Sequence, residues 1–287
     1  MAAFWRRLEA RCCWVLVGAA LLARVASMAA PPKGRSRLFL DSASVGEWQD
    51  LLPTGLFYGV TTNPTILERD GVPCDVKSVS SLARRALEDY GCRQVMVQAW
   101  GGTAEAYVRS SLKVLDRVEA GDHVIVKLPL TREGIVAAHE LRDEAHLCMT
   151  ACYAREQVVV ANALDADYLA PYLGRMTDAG LDGLGECVKM QAALEGSRAH
   201  TRLLVASLRR ASTVFDVVAR GADATFSPAV ARDFLSFERT DKAAAAFEEA
   251  AANSVALAEE DEEKGLLGNL RGGKIRLGAP KPDPQEA

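Results

Sequence analysis

An α/β fold, and within that class a (β/α)8 barrel of parallel strands, is what the sequence predicts, and three observations carry the prediction. From Arg37 onward short apolar runs alternate with helical patterns at nearly constant spacing, as in repeated βα units. Eight such units fit within about 200 residues, the size of a closed barrel. The run Val124–Ile125–Val126 is apolar and β-branched without interruption, as in a strand covered on both faces. A doubly wound open sheet is the alternative that strand number alone leaves open.

The eight expected strands are residues 38–40, 56–61, 94–98, 124–127, 145–149, 168–171, 202–206 and 224–226. Amphipathic segments at 75–90, 103–118, 132–142, 154–163, 184–195 and 212–220 supply the helices between them, and an apolar turn near 45–52 fills the first connection. A short helix at 228–234 follows the last strand. The Ala/Glu-rich residues 241–263 form a strong helix with few large apolar side chains, so the barrel proper occupies 37–240. Residues 264–287, rich in Gly, Pro and charge, read as a disordered tail.

Residues 1–30 lie outside the fold. Arg6, Arg7 and Arg11 precede an apolar run from Cys12 to Ala23, small residues continue through Ala30, and Pro31–Pro32 follow. That order is a cleavable presequence, addressed to the secretory pathway or, given a single early acid and Arg24, to an organelle such as a plastid or mitochondrion. Without its use the protein stays cytoplasmic. The run is shorter than the roughly 20 residues a membrane span needs, so no stable span is expected in the mature protein. A net charge of −4 and the lack of basic runs with interleaved aromatics argue against nucleic acid as a partner. The seven cysteines are odd in number and form no C-x-x-C pair, which favours free thiols over a disulfide framework or a zinc site. Neither metal nor cofactor is expected.

Active sites of such barrels stand at the C-terminal ends of the strands, where this chain places Asp41, Asn63, Gln98, Lys127, Thr150, Tyr172, Ser207 and Arg209. Lys127 follows the buried run, and Pro129 is expected to stop the strand two residues later. An amine whose stem lies in an apolar wall is poorly solvated as an ammonium, and the free amine is a nucleophile toward carbonyl carbon. A snorkelling lysine is the structural alternative. A carboxylate, an amine and a phenol converging from different strands are what acid/base chemistry around an imine requires.

Several motifs sharpen this. Phe39–Leu40–Asp41–Ser42–Ala43, Gly59–Val60–Thr61–Thr62–Asn63–Pro64–Thr65, Val126–Lys127–Leu128–Pro129 with Thr131 and Glu133–Gly134, Tyr168–Leu169–Ala170–Pro171–Tyr172, and Ala206–Ser207 with Arg209 resemble the transaldolase family. Within it they are closest to the fructose-6-phosphate aldolase and small transaldolase subfamily. The resemblance covers residues 37–251 and implies a TIM barrel of the class I aldolase type, without cofactor, acting on sugar phosphates.

By position the resemblance makes Lys127 the Schiff-base lysine and Asp41 the group that orients a sugar hydroxyl and moves its proton; pairing of Asp41 with Lys127 is the structural alternative. Asn63, with Thr61, would bind substrate hydroxyls, although an Asn before Pro can simply hold its own turn. Gln98 and Thr150 match the pair that holds the catalytic water. Arg175, Ser207 and Arg209 match the phosphate site. Gln98, Tyr172 and Ala170 stand where larger transaldolases carry Glu, Phe and Ser, which leans the chain toward aldolase chemistry and leaves dihydroxyacetone transfer between sugar phosphates, as in the pentose phosphate pathway, as the runner-up. A non-catalytic sugar-phosphate binding barrel is the remote reading. Trp100–Gly101–Gly102 and Arg210 depart from the subfamily. The C-terminal helix of the family packs on a neighbouring subunit, so the resemblance implies a ring-shaped homo-oligomer.

Overall fold

The computed structural model describes residues 36–119 and 121–271. The expected presequence and everything past Arg271 lie outside the described residues. Eight strands form one closed parallel barrel in chain order, which excludes the doubly wound alternative. They are β1 (Leu38–Asp41), β2 (Gly59–Thr61), β3 (Gln94–Gln98), β4 (Val124–Pro129), β5 (His146–Cys152), β6 (Tyr168–Pro171), β7 (Arg202–Leu208) and β8 (Asp223–Phe226), with β8 pairing back onto β1.

The helices between them are α1 (Val45–Leu51), α2 (Pro64–Arg69), α3 (Val76–Glu88), α4 (Ala104–Val118), α5 (Arg132–Leu141), α6 (Val158–Ala163), α7 (Leu173–Asp178), α8 (Gly183–Ser197), α9 (Ala211–Val218) and α10 (Pro228–Arg232). Most start where a short polar side chain can cap the first turn. Asp75 accepts from Ser78 N at 2.9 Å, Thr103 from Ala106 N at 3.2 Å, and Thr131 from Gly134 N at 3.2 Å, each cap contributing about 1 kcal/mol. The face each helix buries follows its period: α3 buries Val79, Leu82, Ala83 and Ala86.

Alternation along the strands separates two apolar regions. Leu40, Val60, Val95, Val97, Val124, Val126 and Leu128 point outward into the large core under the helices. Phe39, Met96, Ile125, Cys148, Tyr168, Ala170 and Leu204 point inward and fill the barrel's middle. Two residues further along the same strands, Asp41, Gln98, Lys127 and Thr150 inherit the inward direction.

Three expectations need correction. The fourth strand, expected to end at Lys127, runs on to Pro129, which ends it two residues after the lysine as expected and is in register with Thr150, so Lys127 stands inside the strand, between Gln98 and Cys148, and not at its tip. Proline is tolerated there because the strand's last position, not the ladder's centre, lacks the donor. The helices α2 and α7 had no counterpart among the expected segments. The long helix α11 runs Glu238–Arg271, beginning before residue 241 and continuing past 263, so the first part of the expected tail is helical. It belongs to a second unit, which begins at Leu235, distinct from the barrel unit that ends at Phe234. Among the described residues no helix is long and apolar enough to cross a membrane.

Candidate active site

The C-terminal mouth of the barrel holds a cavity of about 490 Å³. Its wall includes Asp41, Asn63, Arg69, Gln98, Lys127, Tyr153, Tyr172, Arg175, Ser207 and Thr225, so all eight strands or their exits contribute side chains to one space.

Lys127 is 4% exposed, and its Nζ donates to Thr62 O at 2.9 Å. It does not snorkel to solvent. The carbonyl it reaches belongs to the exit of β2, so the amine points across the barrel interior toward the cavity. Asp41 receives a hydrogen bond from Thr61 Oγ1 at 2.6 Å, and Thr61 Oγ1 in turn lies 2.6 Å from Thr225 Oγ1. Burial pushes the Asp41 carboxyl above the ordinary carboxylate range, against the opposing pull of Lys127, the Thr61 hydroxyl and Arg69. No direct ion pair joins Asp41 to Lys127; the two are neighbours through the field only. A carboxyl raised in this way is a stronger base when ionised than a surface aspartate.

On the far side of the amine, Thr150 Oγ1 lies 3.2 Å from the Tyr172 hydroxyl. Thr150 is fully buried and stands behind the cavity wall, whereas Tyr172 lines it. Gln98 also lines the wall, and its amide has no hydrogen-bond partner among the described residues, which leaves it facing the cavity. Below Lys127, burial pushes the Cys148 thiol up to about 12, so this neighbour is an inert thiol.

Asn63 holds its own turn and also lies on the cavity wall. Its Oδ1 caps α2 by accepting from Ile66 N at 3.0 Å, with Pro64 at the first helical position, and its remaining amide edge stays on the cavity wall. Thr61 is fully buried, donates to Asp41 and is not on the cavity wall.

The proposed phosphate donors are divided. Arg175, on α7, and Ser207, at the exit of β7, line the cavity, and the Arg175 guanidinium lies 5.6 Å from the Tyr172 ring centroid. Ser207 adopts φ +60° where β7 shifts register between Val205 and Leu208, and Ala151 adopts φ +56° at the matching bulge of β5. Two non-glycine residues in the left-handed region, both at bulges and both on the cavity wall, show the backbone bent to re-aim side chains at the mouth. Gly174 makes the close approach of α7 to β7 possible, because a Cβ there would sit 2.2 Å from Ser207 O. Arg209 is not on the cavity wall. Asp178 grips its guanidinium through both oxygens, and Arg209 lines a separate surface cavity with Gly174 and Ser207.

Sequence reasoning missed Arg69, Tyr153 and Thr225. Arg69 was findable: with Asn63 as cap and Pro64 as first residue, a helix begins, and Ile66 and Arg69 then share a face at i, i+3. Tyr153 lies just past the end of β5, which runs further than its apolar core suggests. Among the described residues no group of three or more His, Cys, Asp or Glu is placed to hold a metal ion.

A family model described as Transaldolase/Fructose-6-phosphate aldolase matches residues 38–268. The chain belongs to this family. A protein of Caulobacter vibrioides (strain NA1000 / CB15N) named as a probable transaldolase is 32% identical over 208 residues, covering 72% of this chain and 92% of its own. Another so named, from Maridesulfovibrio salexigens, is 32% identical over 211 residues, covering 73% of this chain and 94% of its own. One from Ruegeria sp. (strain TM1040) is 29% identical over 213 residues. Family membership and the closed barrel bear out the resemblance drawn from the motifs.

Proposed function

We propose that this member of the transaldolase family is a class I aldolase of ketose phosphates, close in chemistry to a fructose-6-phosphate aldolase. The observation that carries the proposal is Lys127: a buried amine aimed into a polar cavity, with a desolvated carboxyl on one side and a hydroxyl pair on the other.

Lys127 Nζ adds to the ketose carbonyl carbon, and loss of water from the carbinolamine leaves a protonated imine. The bond between the carbon attached to the imine carbon and the hydroxyl-bearing carbon beyond it then breaks, its electron pair flowing into the iminium to give the enamine. The hydroxyl proton on the departing carbon passes to Asp41, and that carbon leaves as an aldehyde. Tyr172, held by Thr150, and Gln98 orient water that protonates the enamine and hydrolyses the resulting imine, releasing the three-carbon ketone. Arg175 and Ser207 bind the substrate phosphate as a charge-assisted pair, with Arg209 adding its charge from the adjoining cavity.

The second reading, transfer of the three-carbon unit to an acceptor aldehyde, is the activity in the names of the relatives. It differs only in the fate of the enamine. Tyr172 and Gln98 favour water as the acceptor. Incubation with fructose 6-phosphate, following glyceraldehyde 3-phosphate with and without an added acceptor, separates the two. Release without acceptor supports the aldolase; release only with acceptor supports the transaldolase; none in either case removes both. Replacing Arg175 with Ala should weaken phosphorylated substrates by tenfold or more, roughly 1.5–3 kcal/mol, and spare unphosphorylated ones.

The ring-shaped homo-oligomer also remains a proposal, resting on the family and on the composition of residues 241–263. Truncation before residue 241 should lower the mass seen by light scattering and leave a folded barrel; a monomeric full chain at micromolar concentration would end it. The presequence proposal is tested by fusing residues 1–36 to a reporter and locating it.

A further inference from the structure

Immediately behind the site, α2 ends in a pair of opposite charges that reaches back to β1. Arg69 donates to Asp70 twice, Nε to Oδ1 at 2.7 Å and a terminal nitrogen to Oδ2 at 2.9 Å. The same Oδ2 accepts from Ala43 N at 2.8 Å and from Ser42 Oγ at 3.2 Å. Ser42 is fully buried; its Oγ accepts from Ser44 N at 3.0 Å, and its carbonyl accepts from Trp48 Nε1 at 3.0 Å. Asp70 therefore closes the two residues that directly follow Asp41, and a bidentate guanidinium holds Asp70 in that orientation. Arg69 meanwhile lines the cavity.

An isolated surface pair would be worth little. This one is different in its connections: its carboxylate is spent on the exit of the strand that carries Asp41, and its cation shares the cavity with that carboxyl. We infer that Arg69 and Asp70 are positioning residues for Asp41, fixing the direction of its carboxyl through Ser42 and Ala43 and setting the field in which it exchanges a proton. The inference rests on Asp41 as the proton-transfer group of the proposed reaction.

The charged groups facing Asp41 are Lys127 from β4 and Arg69 and Asp70 from α2, with the Thr61 hydroxyl from β2. Arg69 draws the Asp41 carboxyl down and Asp70 pushes it up, the former more strongly. Removing either partner alone should thus move Asp41 in opposite directions, a result that loss of packing would not give.

The experiment is a carboxyl ¹³C NMR titration of Asp41 in the full chain, as wild type, Arg69→Leu and Asp70→Asn, beside pH profiles of kcat. Asp41 should titrate at higher pH in Arg69→Leu and at lower pH in Asp70→Asn, and the acidic limb of kcat should follow. Asp70→Ala should lower kcat roughly tenfold to a hundredfold by misplacing the carboxyl, with KM little changed and Asp70→Asn partly restoring kcat. Shifts in the same direction, or none, overturn the inference. Should the Asp70 variants fail to fold, Arg69→Leu, a change at a half-exposed side chain, decides alone: an unmoved Asp41 titration refutes it. The NMR titration needs no turnover, and wild-type activity on fructose 6-phosphate tests the function separately.

Discussion

The two ends of the barrel are built from the same strands and differ in what their inward polar groups are attached to. At the N-terminal floor, Arg202 grips Asp223 through two bonds of 2.6 Å, Arg37 N donates to the same carboxylate at 2.7 Å, and the Tyr168 hydroxyl donates to Gln94 at 2.6 Å while accepting from Arg37. At the mouth, Gln98, Arg175 and Ser207 face a cavity, and Lys127 spends one donor on a carbonyl. Each pair of ends is two or four residues apart on one strand: Gln94 and Gln98 on β3, Asp223 and Thr225 on β8. The floor pairs its charges with one another, although Arg37 Nε is buried without a hydrogen-bond partner among the described residues, and this pairing serves stability. The mouth leaves its groups for a ligand, which is how a barrel separates folding from chemistry.

The largest effects should come from the two ends read by opposite assays. Lys127→Ala should abolish turnover while leaving unfolding by denaturant unchanged or slightly harder, because a buried amine is removed. Asp223→Ala should do the reverse: it removes the buried carboxylate that Arg202 and Arg37 N share at the floor and should cost about 3–5 kcal/mol of stability, read from the denaturation midpoint. A catalytic defect without a stability loss in Asp223→Ala would break the comparison.

A smaller effect should appear at the floor's rim, where His146 Nδ1 lies 2.9 Å from Asp167 Oδ1. Asp167 raises the His146 imidazole above its ordinary value, and His146 together with Leu147 N lowers the Asp167 carboxyl, against burial that acts the other way. The histidine's contribution is complete below its unfolded value of about 6.5 and fades as pH rises through the raised folded value; the aspartate's is complete above about 3.9 and is lost as pH falls through the lowered one. The stability gap between wild type and His146→Gln should therefore be wider at pH 6 than at pH 9. An equal gap at both would show that the pair adds nothing electrostatic.

The strands were legible because each carries an uninterrupted or alternating apolar run, and inward positions such as Asp41, Gln98, Lys127 and Tyr172 follow from that alternation. The helices α2 and α7 were not, since six residues give too few turns for a period to stand out, and Asn63–Pro64 reads equally as a turn. Arg69 was lost with α2. Arg209 is placed with the phosphate donors by the family's motif; its pairing with Asp178, which comes from a different element, has no local signature in the sequence.

The central claim is an imine at Lys127. Borohydride added to the protein with fructose 6-phosphate should fix the reduced donor fragment on the peptide containing Lys127, with parallel loss of activity, and should leave Lys127→Ala unlabelled. Label on a different lysine, or none on an active enzyme, would contradict the account.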